Sequence, residues 1–175
     1  MTDLEQVRAL YAASAGRLVS QVYALTGDFG EAQDAVQEAF ARALIHPDRL
    51  RRLENPEAWL RTVALNLARS RHRRRVVFQR LLATGRLRGE PDAPGLTPDH
   101  VALVAALQRL PRAMREAVVL HHLVDLPVTE VARILNCSET AVKTRLMRGR
   151  RALAEHLRDG AVLEETTTMG VADHA

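Results

Sequence analysis

The segment from Leu126 to Leu153 constrains the fold most, because its pattern predicts two helices joined by a tight turn. Apolar residues recur at helical spacing in its first half, at Val131, Ile134 and Leu135. Ala132 supplies a small surface that lets a second helix cross closely. Asn136 falls where the turn requires a positive φ, and Ser138 follows as a candidate N-cap of the next helix. The segment is therefore predicted to be a helix-turn-helix.

The second helix of this segment concentrates positive charge. Its cations are Lys143, Arg145, Arg148, Arg150 and Arg151. Such a run can be a solvated basic face, but the turn chemistry favours a helix that reads DNA. Cys137 and Val142 fall where the motif buries apolar groups.

Composition favours an all-α protein with two small helical domains joined by a flexible linker. The chain has 175 residues, of which 47% are hydrophobic and only 3% aromatic. Cores built from Ala, Leu and Val fit helical packing better than a sandwich or barrel, which would require β-branched and aromatic runs with frequent turns.

Charge and cysteine content exclude several classes. The net charge of +4 and the pI near 10.1 indicate a polyanionic partner. A single cysteine provides no disulfide framework, and the histidines lack metal-ligand spacing, so we expect no metal and no cofactor. The N-terminal residues do not resemble a signal peptide, and no apolar run is long enough for membrane insertion. These features predict a cytoplasmic protein.

An acidic helix face stands out in this basic chain. The first helix is predicted over about Asp3 to Leu25, and Asp28 can cap the second. No Lys or Arg occurs from Leu18 to Ala41, whereas four acids do, at Asp28, Glu31, Asp34 and Glu38. The face is either an ordinary solvated surface or a docking surface for a basic protein. An active site is disfavoured, since no His or nucleophile lies nearby.

Positive charge returns beyond His46-Pro47, which ends the second helix. The segment DRLRRLEN is predicted as a short basic loop, and Asn55-Pro56-Glu57 as the start of the next helix. Trp59 is expected in the core rather than as a base-stacking platform. Five arginines between residues 69 and 75 favour contact with a phosphate backbone, the alternative being a disordered basic tail.

Loss of periodicity marks the domain limits. We predict a first domain at residues 1–78, a linker at 79–98 rich in Gly and Pro, a second domain at 99–158, and a frayed tail at 159–175. His121 and His122 are adjacent, so they are expected as core or surface histidines rather than metal ligands.

Two motifs resemble those of bacterial sigma factors of the sigma-70 family. Residues 28–75 contain D-x-x-x-x-x-D-A-V-Q-E-A-F followed by N-P-E-A-W-L-R-T-V-A-L-N-L-A-R, which is similar to conserved region 2. Residues 99–158, with V-K-T-R-L-M-R-G-R, are similar to region 4. Because a linker replaces region 3, the chain resembles the extracytoplasmic-function (ECF) group.

This resemblance implies three sets of binding residues. A surface for the coiled coil of the largest subunit of core RNA polymerase would contain Asp34, Gln37, Glu38 and Phe40. A surface for the −10 promoter element would contain Leu50, Arg51, Arg52, Asn55, Arg61, Asn66, Arg69 and Arg73. A surface for the −35 element would contain Ser138, Thr140, Lys143, Thr144, Arg145, Met147, Arg148 and Arg151. Lys143, Thr144, Met147 and Arg148 would approach base edges, while Arg145, Arg150 and Arg151 would hold the backbone.

The function implied is that of a non-enzymatic subunit that directs core RNA polymerase to promoter DNA, held in check by an anti-sigma factor and without a small-molecule substrate. The alternative is a stand-alone helix-turn-helix regulator, which would need no acidic docking face and would usually dimerise. Two departures from the family pattern are a linker that is not acidic and Pro127, which stands where relatives often have a capping Ser. The second departure predicts a looser start of that helix.

Overall fold

The computed structural model describes the backbone of residues 3–82 and 97–169, and the side chains of residues 4–71 and 97–158. All regular structure in these ranges is helical, which confirms the all-α class. The helices are α1 (Asp3–Thr26), α2 (Phe29–Ile45), α3 (Pro47–Arg51), α4 (Pro56–Leu82), α5 (Pro98–Arg109), α6 (Arg112–Val118), α7 (Val128–Leu135) and α8 (Glu139–Met169). Helices α1–α4 form one compact unit, the N-terminal unit, and α5–α8 form another, the C-terminal unit.

A tight reversal joins α1 to α2. Gly27 ends α1 at a φ of 70°, where a residue without Cβ is favoured. The Asp28 carboxylate then caps α2 by accepting a hydrogen bond from the Glu31 backbone N–H at 2.9 Å. This is the cap that the sequence predicted, and it satisfies one of the free donors at the start of the helix.

Small side chains form much of the core of the N-terminal unit. Helix α2 packs against both α1 and α4. Its alanines at 32, 35, 39 and 43 are fully buried, as are Ala64 and Ala68 of α4. This explains how a chain with few aromatics closes a core, since alanine lets helix axes approach. Leu4 of α1 and Leu44 of α2 lie outside this core and are about half exposed, at 48% and 46%.

The segment after His46 is a short helix rather than the predicted loop. Pro47 occupies the first helical position of α3, where its missing N–H has no helical partner to lose. Asp48 and Arg51 form an ion pair one turn apart at 2.5 Å. The run of charges therefore supports a helical turn instead of preventing it.

In the C-terminal unit, Thr97 caps α5 by accepting from the His100 N–H at 3.3 Å. The helical stretch that begins after Pro111 has two parts. Helix α6 passes into a π-helical turn at Val119–Leu123, which closes with the Val124 N–H donating to the Val119 carbonyl at 3.0 Å. Asp125 follows at a φ of 59°. This widened turn ends the helix before α7 begins.

The helix-turn-helix has the predicted turn chemistry. Asn136 adopts the left-handed conformation, with φ 50° and ψ 54°. The Ser138 hydroxyl caps α8 by accepting from the Ala141 N–H at 3.1 Å. Helix α7 has no side-chain cap at Pro127, and the looser start expected there stays a prediction. Val131 and Val142 are fully buried and Cys137 is half-buried, so the two helices meet through the predicted apolar positions.

Three helices extend beyond the limits predicted from the sequence. Helix α4 continues to Leu82, into the segment assigned to the linker, and α5 already begins at Pro98. Helix α8 continues to Met169, so the expectation of a frayed tail from residue 159 was wrong over that stretch. Residues 83–96 and 170–175 lie outside the described residues, and the domain limits stay a prediction.

Candidate functional site

Helix α8 presents a solvent-exposed face directly after the turn. Lys143, Met147, Arg148 and Arg151 are exposed, Met147 to 60%. These positions follow Thr140 at steps of three and four residues, so they share one face of the helix. On the opposite side Val142 and Leu146 are buried. The helix thus anchors itself by one face and offers basic and apolar groups on the other.

Other residues predicted for the −35 surface support the geometry of this helix. Ser138 serves as the N-cap, and the Thr140 carbonyl accepts a hydrogen bond from the Thr144 hydroxyl at 3.0 Å. Arg145 is half-buried, and its Nη1 lies 3.4 Å from Cys137 Sγ, so its guanidinium leans back onto the turn. Arg151 makes an ion pair with Glu155 at 3.3 Å. Direct presentation to a ligand is clearest for Lys143, Met147 and Arg148.

Gly149 sets the position of α8, and sequence reasoning missed it. A Cβ at this residue would lie 2.8 Å from Val118 Cγ2 of α6 and 3.5 Å from Met114 Cβ. Only glycine lets the two helices approach this closely. A glycine within an otherwise helix-favouring basic run was the signal that could have identified it.

On α2, the four residues predicted to bind polymerase have different environments. Asp34 and Gln37 are exposed. Phe40 is buried, and its ring packs edge-on against Tyr11 at 4.9 Å between centroids. The structure therefore gives Phe40 a packing role under the face and leaves Asp34 and Gln37 on its surface.

Glu38 is held by two arginines. One carboxylate oxygen accepts from Arg42 at 2.5 Å and the other from Arg71 of α4, also at 2.5 Å. The hydrogen bond from Arg42, assisted by the charges of both arginines, lowers the pKa of Glu38 below its usual value. The α2 face is consequently less anionic than the sequence indicated, because Arg71 reaches it from another helix.

The residues predicted for the −10 element also have different environments: some are buried, capping or paired, and others are exposed. Leu50 is buried, with only 2% exposure, and Asn55 caps α4 by accepting from the Ala58 N–H at 2.9 Å. Arg51 is paired with Asp48, as described above. Arg52 and Asn66 are exposed, and Arg69 is half-buried. The side chain of Arg73 lies outside the described residues.

A three-residue ion cluster and a cation–π contact fix the start of α4. Glu57 accepts hydrogen bonds from Arg61 at 3.1 Å and from Arg17 of α1 at 2.9 and 3.1 Å. The hydrogen bond from Arg17 is the main cause that lowers the pKa of Glu57. The guanidinium of Arg49 lies 5.7 Å from the centroid of the Trp59 ring, within the range of a cation–π interaction. Trp59 is half-buried under this cation.

The described part of the chain contains no cluster of side chains suited to binding a metal ion. No group of three or more His, Cys, Asp or Glu side chains there could hold a metal ion. His121 Nδ1 lies 2.8 Å from the Leu126 carbonyl oxygen, where it ties the π-helical turn to the segment before α7. Burial lowers the pKa of His122, and the neighbouring His121 and Arg150 act in the same direction. Within the same residues, no helix is long and apolar enough to cross a membrane.

Comparison with known proteins matches both units to one family. The model of Sigma-70 region 2 matches residues 10–76, and that of Sigma-70, region 4 matches residues 100–153. The ECF RNA polymerase sigma factor SigW of Bacillus subtilis (strain 168) is 31% identical over 153 residues, covering 78% of this chain and 81% of SigW. SigL of Mycobacterium tuberculosis (strain ATCC 25618 / H37Rv) is 34% identical over 155 residues, covering 84% and 86%.

A solved structure shares the fold. The sigma factor RpoE from Bartonella quintana, solved in complex with the anti-sigma factor NepR, aligns with a TM-score of 0.71 at 23% identity. The alignment covers 88% of this chain and 98% of RpoE. At this identity the likeness supports the fold alone.

The fold and the exposed α8 face define a helical DNA-binding protein of the helix-turn-helix class. With both family models matched in order, the chain belongs to the sigma-70 family and to its ECF group. It is a promoter-recognising sigma factor that directs transcription initiation, and its partners are core RNA polymerase and promoter DNA.

Proposed function

We propose that three separate surfaces divide the work of this sigma factor: α2 binds the polymerase, the start of α4 with the preceding loop binds the −10 element, and α8 binds the −35 element. The observation that carries the proposal is the exposed face of α8. There Lys143, Met147 and Arg148 are exposed on a helix that follows the Asn136 turn and is capped by Ser138. Such a helix fits the major groove of B-DNA.

Roles on α8 follow from the exposure of each side chain. Lys143 and Arg148 can donate to guanine or to phosphate, and the Met147 side chain can contact a thymine methyl. Arg151 lies further along the same face of α8, where it contacts the phosphate backbone of the DNA. Arg145, which leans onto Cys137, stabilises the turn instead of reading a base.

The −10 surface centres on Arg52 and Asn66. Both are exposed, one in the loop before α4 and one on α4 itself. Leu50 and Asn55 hold that loop, the first by burial and the second by capping α4. Strand separation at this element exposes bases whose unstacking costs a few kcal/mol, which contacts from such a surface must offset.

The α2 surface centres on Asp34 and Gln37. A carboxylate and an amide on an exposed helix suit a basic coiled coil, and charge complementarity of this kind sets orientation and association rate. The chain itself performs no chemistry in this proposal, since initiation belongs to the polymerase. We further propose that it acts in the cytoplasm and that an anti-sigma factor covers these surfaces, as NepR is bound to RpoE.

Transcription in vitro tests the function as a whole. The purified protein with core RNA polymerase should produce specific transcripts from a promoter library and should co-elute with core enzyme. A stand-alone regulator would do neither, although it would still bind DNA. Failure of both measurements would contradict the proposed role.

A charge reversal tests the α2 surface. Asp34→Arg should abolish co-elution with core enzyme while leaving the helical content unchanged. Asp48→Arg is the matched control, because Asp48 has the same charge and is 79% exposed on α3 of the same unit. Equal loss in both variants would indicate a general charge effect rather than a docking site.

Arg148→Ala tests base reading by α8. If Arg148 contacts a base, promoter selection should weaken by about 1–3 kcal/mol at one position of the −35 element. If it contacts only phosphate, binding should weaken uniformly across sequences. Arg158→Ala is the control, since Arg158 is exposed on the same helix far from the turn.

A further inference from the structure

A carboxylate at the start of α4 joins two arginines from different helices. Glu57 receives Arg17 Nε on Oε1 at 3.1 Å and Arg17 Nη2 on Oε2 at 2.9 Å, which is a two-point contact from α1. Arg61, one turn further along α4, donates from Nη2 to the same Oε1 at 3.1 Å. The two guanidinium groups therefore lie side by side on one anion.

The two arginines differ in exposure. The side chain of Arg61 is 20% exposed, and its Nε is buried without a hydrogen-bond partner among the described residues. The side chain of Arg17 is 56% exposed. The family resemblance implied Arg61 as one of the −10 contacts and gave Arg17 no role, whereas the structure leaves Arg17 the more exposed of the two side chains.

Geometry leaves Arg17 able to bind a second anion. A guanidinium has five N–H donors in a fixed plane, and Glu57 occupies two of those of Arg17. The remaining donors lie along other edges of that plane. Two-point contact with Glu57 also fixes the orientation of the plane, so less conformational entropy is lost when a phosphate binds.

The charge of the cluster also favours binding of a second anion. Two cations share one carboxylate, so the cluster keeps a net charge of +1 when Glu57 is ionised. The hydrogen bonds and charges of Arg17 and Arg61 lower the pKa of Glu57, so it stays ionised at neutral pH. The excess charge is exposed mainly at Arg17, which belongs to α1.

We propose that Arg17 is a DNA-backbone contact beside the start of α4, where it adds a position on α1 to the −10 surface, with Glu57 as the residue that positions its guanidinium against one phosphate. The inference rests on the proposed −10 function of α4 and adds a residue and a helix to it. Arg61 acts in this arrangement as an inner brace of the cluster.

The test compares Arg17→Ala with Arg8→Ala in the assembled holoenzyme. Arg8 is exposed on α1 nine residues earlier, on the opposite side of the helix, so it is a control of equal charge and helix context. Binding to a forked promoter fragment containing the −10 element is measured across a salt series. Arg17→Ala should weaken binding about three- to fivefold, as for a surface ion pair. The slope of log affinity against log salt should fall by about 0.7–0.9, the value for one phosphate.

Arg8→Ala should change the affinity for the promoter fragment and the slope of log affinity against log salt much less than Arg17→Ala does, because Arg8 is a distant charge. Arg17→Lys keeps the charge but not the planar fork, so it should restore the slope and only part of the affinity. An unchanged slope in Arg17→Ala, or an equal change in Arg8→Ala, would overturn the proposal.

A second comparison separates DNA contact from bracing. If Arg17 acts only by holding Arg61 through Glu57, Arg17→Ala should have no further effect in an Arg61→Ala background. If Arg17 contacts DNA, the slope of log affinity against log salt should still fall in that background. Arg52→Ala checks the underlying function, because Arg52 is exposed in the loop directly before the start of α4. If Arg52→Ala weakens binding and Arg17→Ala does not, only the role of Arg17 fails. If neither variant weakens binding, the −10 role of the start of α4 fails as well. If only Arg17→Ala weakens binding, Arg17 contacts DNA apart from the proposed −10 surface, and the extension of that surface onto α1 is wrong.

Discussion

The two units use their candidate binding residues differently. In the C-terminal unit, Lys143, Met147 and Arg148 are exposed on a helix whose position is fixed by other residues. In the N-terminal unit, Glu38 and Arg61 are held in ion pairs between or within helices, and Leu50 is buried. The candidate binding residues of the C-terminal unit are exposed to solvent. Many of those of the N-terminal unit also stabilise the fold.

This difference decides what mutagenesis can report. Truncating an exposed side chain of α8 removes a contact and little else. Truncating Leu50 or Glu38 changes the N-terminal unit itself, so a loss of DNA or polymerase binding there has two explanations. The comparison therefore predicts that stability and binding separate in the C-terminal unit and change together in the N-terminal unit.

The largest expected effect is that of Leu50→Ala. Leu50 is buried with 2% exposure, and removing a buried leucine side chain costs about 2–5 kcal/mol. Chemical denaturation should show this loss of unfolding free energy in the N-terminal unit. Binding to −10 DNA should weaken in the same variant because the loop before α4 loses its anchor.

Met147→Ala is the matched truncation in the other unit. Met147 is 60% exposed, so the free energy of unfolding should change by less than about 0.5 kcal/mol. Binding to the −35 element should weaken nonetheless. Equal destabilisation by the two truncations would contradict the contrast between the units.

Local sequence signals predicted the turn and the cap that precede α8 better than the side-chain pairing of the N-terminal unit. The αL turn at Asn136 and the Ser138 cap depend on neighbouring residues only, and both were predictable. Arg71 reaches Glu38 across a separation of 33 residues, and Arg17 reaches Glu57 across 40. Pairing over such distances depends on how helices pack, which periodicity does not specify. The acidic face of α2 was accordingly overestimated.

The next largest effect concerns the close packing of α6 against α8 at Gly149. Gly149→Ala should destabilise the C-terminal unit by about 1–3 kcal/mol, because the added Cβ would meet Val118 Cγ2 at 2.8 Å in a close-packed core. Thermal unfolding measures the change. The gain in helix propensity, about 1 kcal/mol, is too small to reverse a clash with a buried β-branched side chain.

Gly16→Ala supplies the opposite case in the N-terminal unit. A Cβ at Gly16 of α1 has nothing within 4 Å, so only helix propensity remains and the variant should be about 0.5–1 kcal/mol more stable. Stabilisation by both substitutions would show that α6 and α8 can separate without cost, and would remove the reason for glycine at position 149.

A smaller effect is expected at the turn of the helix-turn-helix. Asn136 has a φ of 50°, a conformation that costs most non-glycine residues about 1 kcal/mol or more. Asn136→Ala should lower the unfolding free energy by about that amount, and Asn136→Gly should change it by a few tenths. Similar values for Ala and Gly would show that the side chain of Asn136, and not its backbone conformation, matters.

The smallest effect is the pH dependence that Glu38 contributes. Its pKa is lowered in the folded state from the ordinary value of 4.5, chiefly by the hydrogen bond from Arg42. A lowered pKa stabilises the fold fully above the unfolded value, and this stabilisation is lost as the pH falls through the folded pKa. The difference in unfolding free energy between the wild type and Glu38→Gln should therefore be constant above about pH 5.5 and shrink below pH 4.5. Arg71→Ala separates the two partners of Glu38, because it removes the pair with α4 and keeps the pair with Arg42. If Arg71→Ala leaves the pH dependence of the unfolding free energy unchanged, the link between α2 and α4 through Arg71 adds nothing to the stability of the N-terminal unit.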